Sequence, residues 1–329
     1  MLNSKPPLTL GVYPFGIVGG PRGAVIGPPD DFTRIGAAIQ GLAGDGPPLV
    51  MRLYVTYEGD AAPALDLVAQ FAQFGSLVDL SLNYHDRAGN VERWCSFVEQ
   101  VVQRHGANLG SIGITNEANL RDVPFAPDGA YPNALEALVD GILVAASTKR
   151  RSAANAAIGF TAAADVDPAA NAPFWLRVAE RGQMAFASAL DFAGLTLYPG
   201  GFTGPADLAA IAKRTTDSLT AYRAHLSAAG IHPSVPIRVS ECGWPTGPGR
   251  TEQQQADALS TIFTTLIGLQ HELGITHFEL FTLRDAQSAS QDNFGHFGIL
   301  RDDYTPKTAY DALRALFRAH RRHPAETSV

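Results

Sequence analysis

Short apolar runs alternate with longer amphipathic segments along nearly the whole chain. LTLGVY (8–13) has the length and composition of a strand, and DDFTRIGAAIQGLAGDG (30–46) opens on acidic capping residues and closes on glycines, as a helix does. The alternation repeats. PLVMRLYV (48–55) precedes AAPALDLVAQFAQFG (61–75), LVDLSLNY (77–84) precedes NVERWCSFVEQVVQRHG (90–106), and GSIGITNE (110–117) precedes NALEALVDGILVAASTKRR (133–151). AAIGFTA (156–162) then leads to APFWLRVAERGQM (172–184), and LDFAGLTLYP (190–199) to DLAAIAKRTTDSLTAYRAHLSAAG (207–230). Last come PIRVSECG (236–243) before EQQQADALSTIFTTLIGLQHELG (252–274), and HFELFTLR (277–284) before KTAYDALRALFRAHRR (307–322).

Strands alternating with helices imply βαβ connections and a parallel sheet. Eight such units in a chain of 329 residues predict an α/β fold, a closed (β/α)8 TIM barrel forming one domain over 1–329. The competing open sheet for a nucleotide cofactor needs a glycine-rich turn that runs straight into a helix. Here YPFGIVGGPRG (13–23) is glycine-rich, but Pro14 and Pro21 interrupt it and no helix follows at once, so no cofactor is expected.

Composition narrows the function classes. Hydrophobic residues make up 46% and charged residues 17%, which is globular rather than disordered. A formal net charge of −7 without a basic stripe argues against a nucleic-acid partner. No apolar run approaches the roughly 18 residues of a membrane span, so no membrane partner is expected. The two cysteines, Cys95 and Cys242, are too few for a disulfide framework and are expected to be free buried thiols. The start, MLNSKPPLTLGVYPFG, lacks a signal-peptide core, which predicts a cytoplasmic protein if the chain is full-length and a secreted one if a leader has been removed. The histidines and acidic residues follow no metal-binding spacing, and no metal is expected. Oligomeric state is not legible.

In a barrel of this type the active site lies at the C-terminal ends of the strands. The polar residues expected there are Arg52 from the second strand, Asn83, His85 and Asp86 from the third, and Asn116 and Glu117, with Asn119 beyond, from the fourth. The sixth brings Tyr198, the seventh Glu241 and then Trp244, and the eighth Arg284 and Asp285. Burying a carboxylate beside Ile114 or Val239 costs several kcal/mol unless it is paired. One glutamate would be explained by an ion pair with Arg52. Two, on the fourth and seventh strands, suggest paired carboxylate chemistry.

Asn-Glu closing the fourth strand and SECGWPT (240–246) closing the seventh resemble the glycoside hydrolases of clan A, the "4/7" barrel superfamily. SECGWPT is most similar to the nucleophile segment of the endo-β-1,3-glucanase family, and FGHFGILRDDYTPKTAYDAL (294–313) resembles that clan's eighth-strand loop and helix. The resemblance implies a retaining β-glycoside hydrolase without a cofactor, acting on a carbohydrate with β-linkages. Glu117 would be the general acid/base, Glu241 the nucleophile, and Asn116 a partner of the sugar 2-hydroxyl. Arg52 and Tyr198 would then hold Glu241 ionised and in line. His85, Asn83, Arg284 and Asp285 would line the substrate pocket. Relatives often stack the sugar on a tryptophan of the eighth strand. This chain has FELFTLRDA there, so Phe281 or Trp244 is the expected platform. Two alternatives stay open: a transglycosylase on the same scaffold, and a non-catalytic carbohydrate-binding barrel.

Overall fold

Every position of the strands Val78–Tyr84 and Ser111–Asn116 is buried, so neither face of the sheet meets water. That is the signature of a parallel sheet covered on one face by helices and filled on the other by its own side chains. The computed structural model describes residues 6–164, 168–202 and 207–322. In chain order the elements are β1 (Thr9–Val12), β2 (Ile17–Gly20), β3 (Gly23–Ile26), α1 (Phe32–Ala43), β4 (Val50–Tyr57), α2 (Ala61–Ala72), β5 (Val78–Tyr84), α3 (Val91–His105), β6 (Ser111–Asn116) and α4 (Ala134–Arg151). They continue with β7 (Ala157–Ala163), α5 (Pro168–Ala189), β8 (Phe192–Leu197), α6 (Leu208–Ala228), β9 (Ile237–Cys242), α7 (Glu252–Leu273), β10 (Ile275–Leu280) and α8 (Thr308–Arg322).

Strands β1 and β4 to β10 close a barrel in the order β1-β10-β9-β8-β7-β6-β5-β4, the (β/α)8 architecture that the alternation predicts. Neighbouring strands run parallel, with Arg52 beside Asp79 and Leu80 beside Ile112 in register. The antiparallel hairpin β2–β3 lies outside that pattern. It forms within the glycine-rich segment that follows the first strand, for which the alternation predicts no element. Helix starts follow local chemistry: Asp31 accepts hydrogen bonds from the Thr33 and Arg34 amides, and Thr251 with Gln254 forms a reciprocal capping box.

Contacts divide the chain into two compact units. One comprises Met1–Val50, Leu197–Leu219 and Val239–Val329, the other Met51–Thr196 and Thr220–Arg238. In the first, Phe263 packs between Phe278 and Phe317, and the Leu8 amide donates to His320 Nε2 at 2.9 Å. In the second, Tyr57, Trp94 and Phe97 form one aromatic cluster and Phe160, Trp175 and Phe186 another. Trp94 and Trp175 are thus packing residues, as their helical positions imply.

Candidate active site

The end of β6 is an irregular piece of backbone. Its register with β7 shifts between Gly113 and Asn116, and both Thr115 (φ 68°) and Glu117 (φ 57°) adopt left-handed conformations. A bulge re-aims the side chains that follow it. A β-branched residue in that region costs about 1–3 kcal/mol and persists only where its surroundings impose it. Here they do. The Asn116 amide donates to Asp128 Oδ2 at 2.7 Å, and the Glu117 amide to the Thr161 carbonyl at 2.8 Å. Asn119 brackets Ala163, donating to its carbonyl at 2.9 Å and accepting from its amide at 2.8 Å. The Glu117 carboxylate, half-buried, accepts a hydrogen bond from the Thr196 hydroxyl at 2.5 Å. Asn116 is buried, and its Oδ1 has no hydrogen-bond partner among the described residues. An orphaned buried acceptor costs about 1–3 kcal/mol, so this is a place prepared for a donor.

The neighbouring third-strand residues divide into two groups. Asn83 is buried beside the strand end, accepting from Ser81 Oγ at 3.2 Å. His85 stacks on Tyr131 with ring centroids 4.4 Å apart, and its Nε2 lies 3.2 Å from the Ala126 carbonyl and 3.4 Å from Asp128. It fastens the loop after β6. Asp86 accepts from the Ala88 and Asn90 amides and shapes the entry to α3.

Glu241 is the penultimate residue of β9 and is 6% exposed. Its Oε2 accepts from the Tyr198 hydroxyl at 2.7 Å. Tyr198 is held edge-on by Phe281 (6.1 Å, 90°) and Phe297 (5.6 Å, 76°), which fixes the direction of its hydroxyl. Tyr13 belongs to the same surroundings. Burial, followed by the negative fields of Asp30 and Glu241, drives its phenol well above the ordinary tyrosine range, so it stays protonated. Cys242, next along the strand, points the other way, and burial pushes its thiol up. It is inert as a nucleophile. Neither Cys242 nor Cys95 is in a disulfide.

Several expected pocket residues do something else. Arg52 lies at the third of the eight positions of β4 rather than at its end. It is fully buried, with Nη1 donating to Asp79 at 3.1 Å and Nη2 to Thr161 Oγ1 at 3.1 Å. Arg284 is fully buried too, donating to Asp30 at 2.9 Å and to the Asp302 and Pro28 carbonyls. It clamps the loop after the hairpin. Asp285 is buried against Lys307, with 2.7 Å between carboxylate and ammonium, and Lys307 also donates to Thr246 at 2.8 Å. Trp244 has no exposed face to offer a sugar, since it is 0% exposed and covered by the Arg250 guanidinium at 4.4 Å. Phe281 keeps a partly open position but stacks on Tyr13 (5.3 Å, 10°). The common cause is that a strand-end position fixes a residue's height in a barrel, whereas partners from distant loops decide whether its polar atoms are already used.

No family model matches the chain, and no curated protein matches it. Solved structures do. A β-glucuronidase from Ruminococcus gnavus in complex with D-glucuronic acid superposes with a TM-score of 0.59 at 14% identity, over 96% of this chain and 50% of that one. A β-D-glucuronidase from Dictyoglomus thermophilum gives 0.58 at 13% identity, over 96% and 51%, and one from Bifidobacterium dentium complexed with coumarin-3-O-glucuronide gives 0.58 at 14%, over 95% and 47%. The chain therefore spans about half the length of these structures, and the likeness is one of barrel fold.

Three participants escaped the sequence. Thr196 sits two residues before Tyr198, and the period of two along a strand was the available signal. Asp128 and Tyr13 carry none, because Asp128 comes from an irregular loop and Tyr13 from an apolar run. Among the described residues, no group of three or more His, Cys, Asp or Glu side chains is gathered as a metal ion requires.

Proposed function

We propose that the chain is a retaining β-glycoside hydrolase, with Glu117 as general acid/base and Glu241 as nucleophile, acting on β-linked glucosides or short gluco-oligosaccharides. One observation carries the reading. The carboxylates that close the fourth and seventh barrel strands each accept a hydrogen bond from a hydroxyl of the same short segment, Thr196 for Glu117 and Tyr198 for Glu241. Double displacement needs two carboxyl groups about 5–5.5 Å apart in opposite protonation states. Glu117 donates its proton to the departing glycosidic oxygen while Glu241 attacks the anomeric carbon. Glu117, now ionised, then takes a proton from the water that releases the sugar from Glu241. The unpartnered Asn116 Oδ1 is suited to accept from a sugar hydroxyl.

The barrel likeness and the SECGWPT segment support membership of clan A, and that segment inclines the substrate towards β-1,3-glucosides.

The test is direct. Glu117→Gln and Glu241→Gln should fold normally and each lose at least about a thousandfold in kcat on an aryl β-glucoside, in keeping with the weight of covalent and acid–base catalysis. Azide should restore turnover of an activated substrate to a Glu241→Ala variant, giving a glycosyl azide. Wild-type activity in either glutamine variant would overturn the assignment.

A further inference from the structure

We propose that Asp128, backed by His85, is a positioning residue for Glu117: it sets the backbone from which that carboxyl delivers its proton to a departing sugar oxygen. This rests on the hydrolase reading. A strand end that aims a proton donor has to be held, and regular pairing gives way just before this one. The register with β7 shifts between Gly113 and Asn116, and Thr115 and Glu117 both take left-handed conformations. A side chain supplies the missing hold. Asp128 is 0% exposed and reaches back over twelve residues, where its Oδ2 accepts from the Asn116 amide at 2.7 Å, the short end of the range for such a bond. The same loop closes on the far side of Glu117, whose carbonyl accepts from the Leu120 amide at 3.0 Å and the Gly129 amide at 3.3 Å. A Cβ at Gly129 would meet the Leu120 carbonyl at 2.4 Å, so the return of the loop past Glu117 leaves no room for a side chain there. The backbone is thus fixed one residue before the Glu117 α-carbon by Asp128 and just after it by the loop that carries Asp128.

His85 ties that loop to the barrel wall. Its amide donates to the Tyr57 carbonyl at 2.9 Å, one step beyond the paired Tyr57 and Tyr84, so its backbone prolongs the pairing of β4 with β5. Its ring rests on Tyr131, and its Nε2 faces two acceptors, the Ala126 carbonyl at 3.2 Å and Asp128 Oδ1 at 3.4 Å. A ring nitrogen between two acceptors carries the hydrogen. Asp128 Oδ1 makes no hydrogen bond among the described residues, and the approach of His85 is what offsets its burial. The count of donors calls for a carboxyl group at this position. Two N–H groups, from Asn116 and from His85, meet its two oxygens, whereas an amide side chain has one oxygen and would turn its own N–H towards the other donor. The support therefore runs from the barrel wall through His85 and Asp128 to the Asn116 amide, and ends where Glu117 accepts from the Thr196 hydroxyl.

A proton donor that has lost its aim slows only those substrates whose leaving group needs the proton. The experiment measures kcat/KM for the wild type, Asp128→Asn and His85→Phe on two probes: phenyl β-D-glucoside, whose leaving group needs protonation, and 2,4-dinitrophenyl β-D-glucoside, whose leaving group departs as an anion. The ratio of the first to the second does not depend on the fraction of enzyme that has folded. It should fall about tenfold in Asp128→Asn and by less, in the same direction, in His85→Phe, which keeps a ring against Tyr131. An unchanged ratio in Asp128→Asn, including an equal loss on both probes, would overturn the proposal, because the side chain would then only brace the fold. An unchanged ratio in His85→Phe would overturn the part given to His85. Should Asp128→Asn yield no folded protein, His85→Phe decides in the same terms. If the wild type turns over neither probe, the hydrolase reading has failed, and the positioning is judged from crystal structures of the wild type and Asp128→Asn. Glu117 parted from Thr196 in the variant supports it, and an unaltered Glu117 rejects it.

Discussion

At the scale of single residues, hydroxyls govern the candidate site. The Tyr198 phenol donates to Glu241 at 2.7 Å and the Thr196 hydroxyl to Glu117 at 2.5 Å. A hydrogen bond to a nucleophile in the ionised form that the proposed mechanism requires of Glu241 contributes about 1.5–3 kcal/mol. Tyr198→Phe keeps the ring and its edge-on contacts with Phe281 and Phe297 while removing the donor. Its kcat on an aryl β-glucoside should drop roughly ten- to hundredfold with the thermal midpoint little changed, read by steady-state kinetics beside a circular-dichroism melt. A melt that shifts as far as kcat falls would make the phenol a packing device only. What was legible from the sequence is that Asn116, Glu117, Tyr198 and Glu241 lie at or beside strand ends, which have a known place in this architecture. Arg52, Arg284, Asp285 and Trp244 looked equivalent by the same criterion. Their partners are set by side chains far away in sequence, such as Asp30 for Arg284, 254 residues apart, and no local pattern encodes that.

Elements set the next scale. The segment after β10 is tied to the start of α8 by Asp285 and Lys307, whose ammonium also reaches Thr246 and the His296 carbonyl. Burial pushes the Asp285 carboxyl up, the ammonium of Lys307 pulls it back only in part, and burial correspondingly pulls Lys307 down. Lys307→Met would leave the carboxyl with its burial and without its nearest cation, raising it further. A carboxyl whose folded pKa lies above the unfolded value, about 3.9 for aspartate, favours the native state below that value and loses the advantage as pH climbs through the folded pKa. The stability gap between wild type and Lys307→Met should therefore widen as pH rises from about 4 towards neutrality, measured as urea midpoints across a pH series. A gap independent of pH would mean that the cation does not set the ionisation of Asp285. The hairpin β2–β3 is the element that local reading missed. Its glycines and prolines suit a turn or a strand edge as readily as a loop, so composition did not mark it.

For the molecule as a whole, the closed ring of strands is a physical constraint. Side chains that point inward must fill the interior, and where one is charged its charge must be met. Arg52, Asp79, Ser111 and Thr161 meet that condition from four strands, with Ser111 donating to Asp79 at 2.8 Å. Arg52→Met should destabilise the protein by about 3–5 kcal/mol, because Asp79 is left buried without its cation. Adding Asp79→Asn should recover part of that loss, and the non-additivity is measurable in a double-mutant cycle of urea unfolding. Strict additivity would show that the two side chains do not act as a pair.

The alternation of apolar runs with amphipathic segments was enough to determine the number of barrel strands and helices and their order, because each element must bury its own apolar face and the two periods differ. Asn116 and Glu117 at one strand end and Glu241 at another were likewise fixed by position along the chain. Tertiary structure alone decided which polar groups were already satisfied and how the bulge before Asn116 turned Glu117 towards Thr196. Hydrogen bonds and ring contacts of that kind depend on atoms a few ångströms apart in space and hundreds of residues apart in sequence, and periodicity carries no record of them.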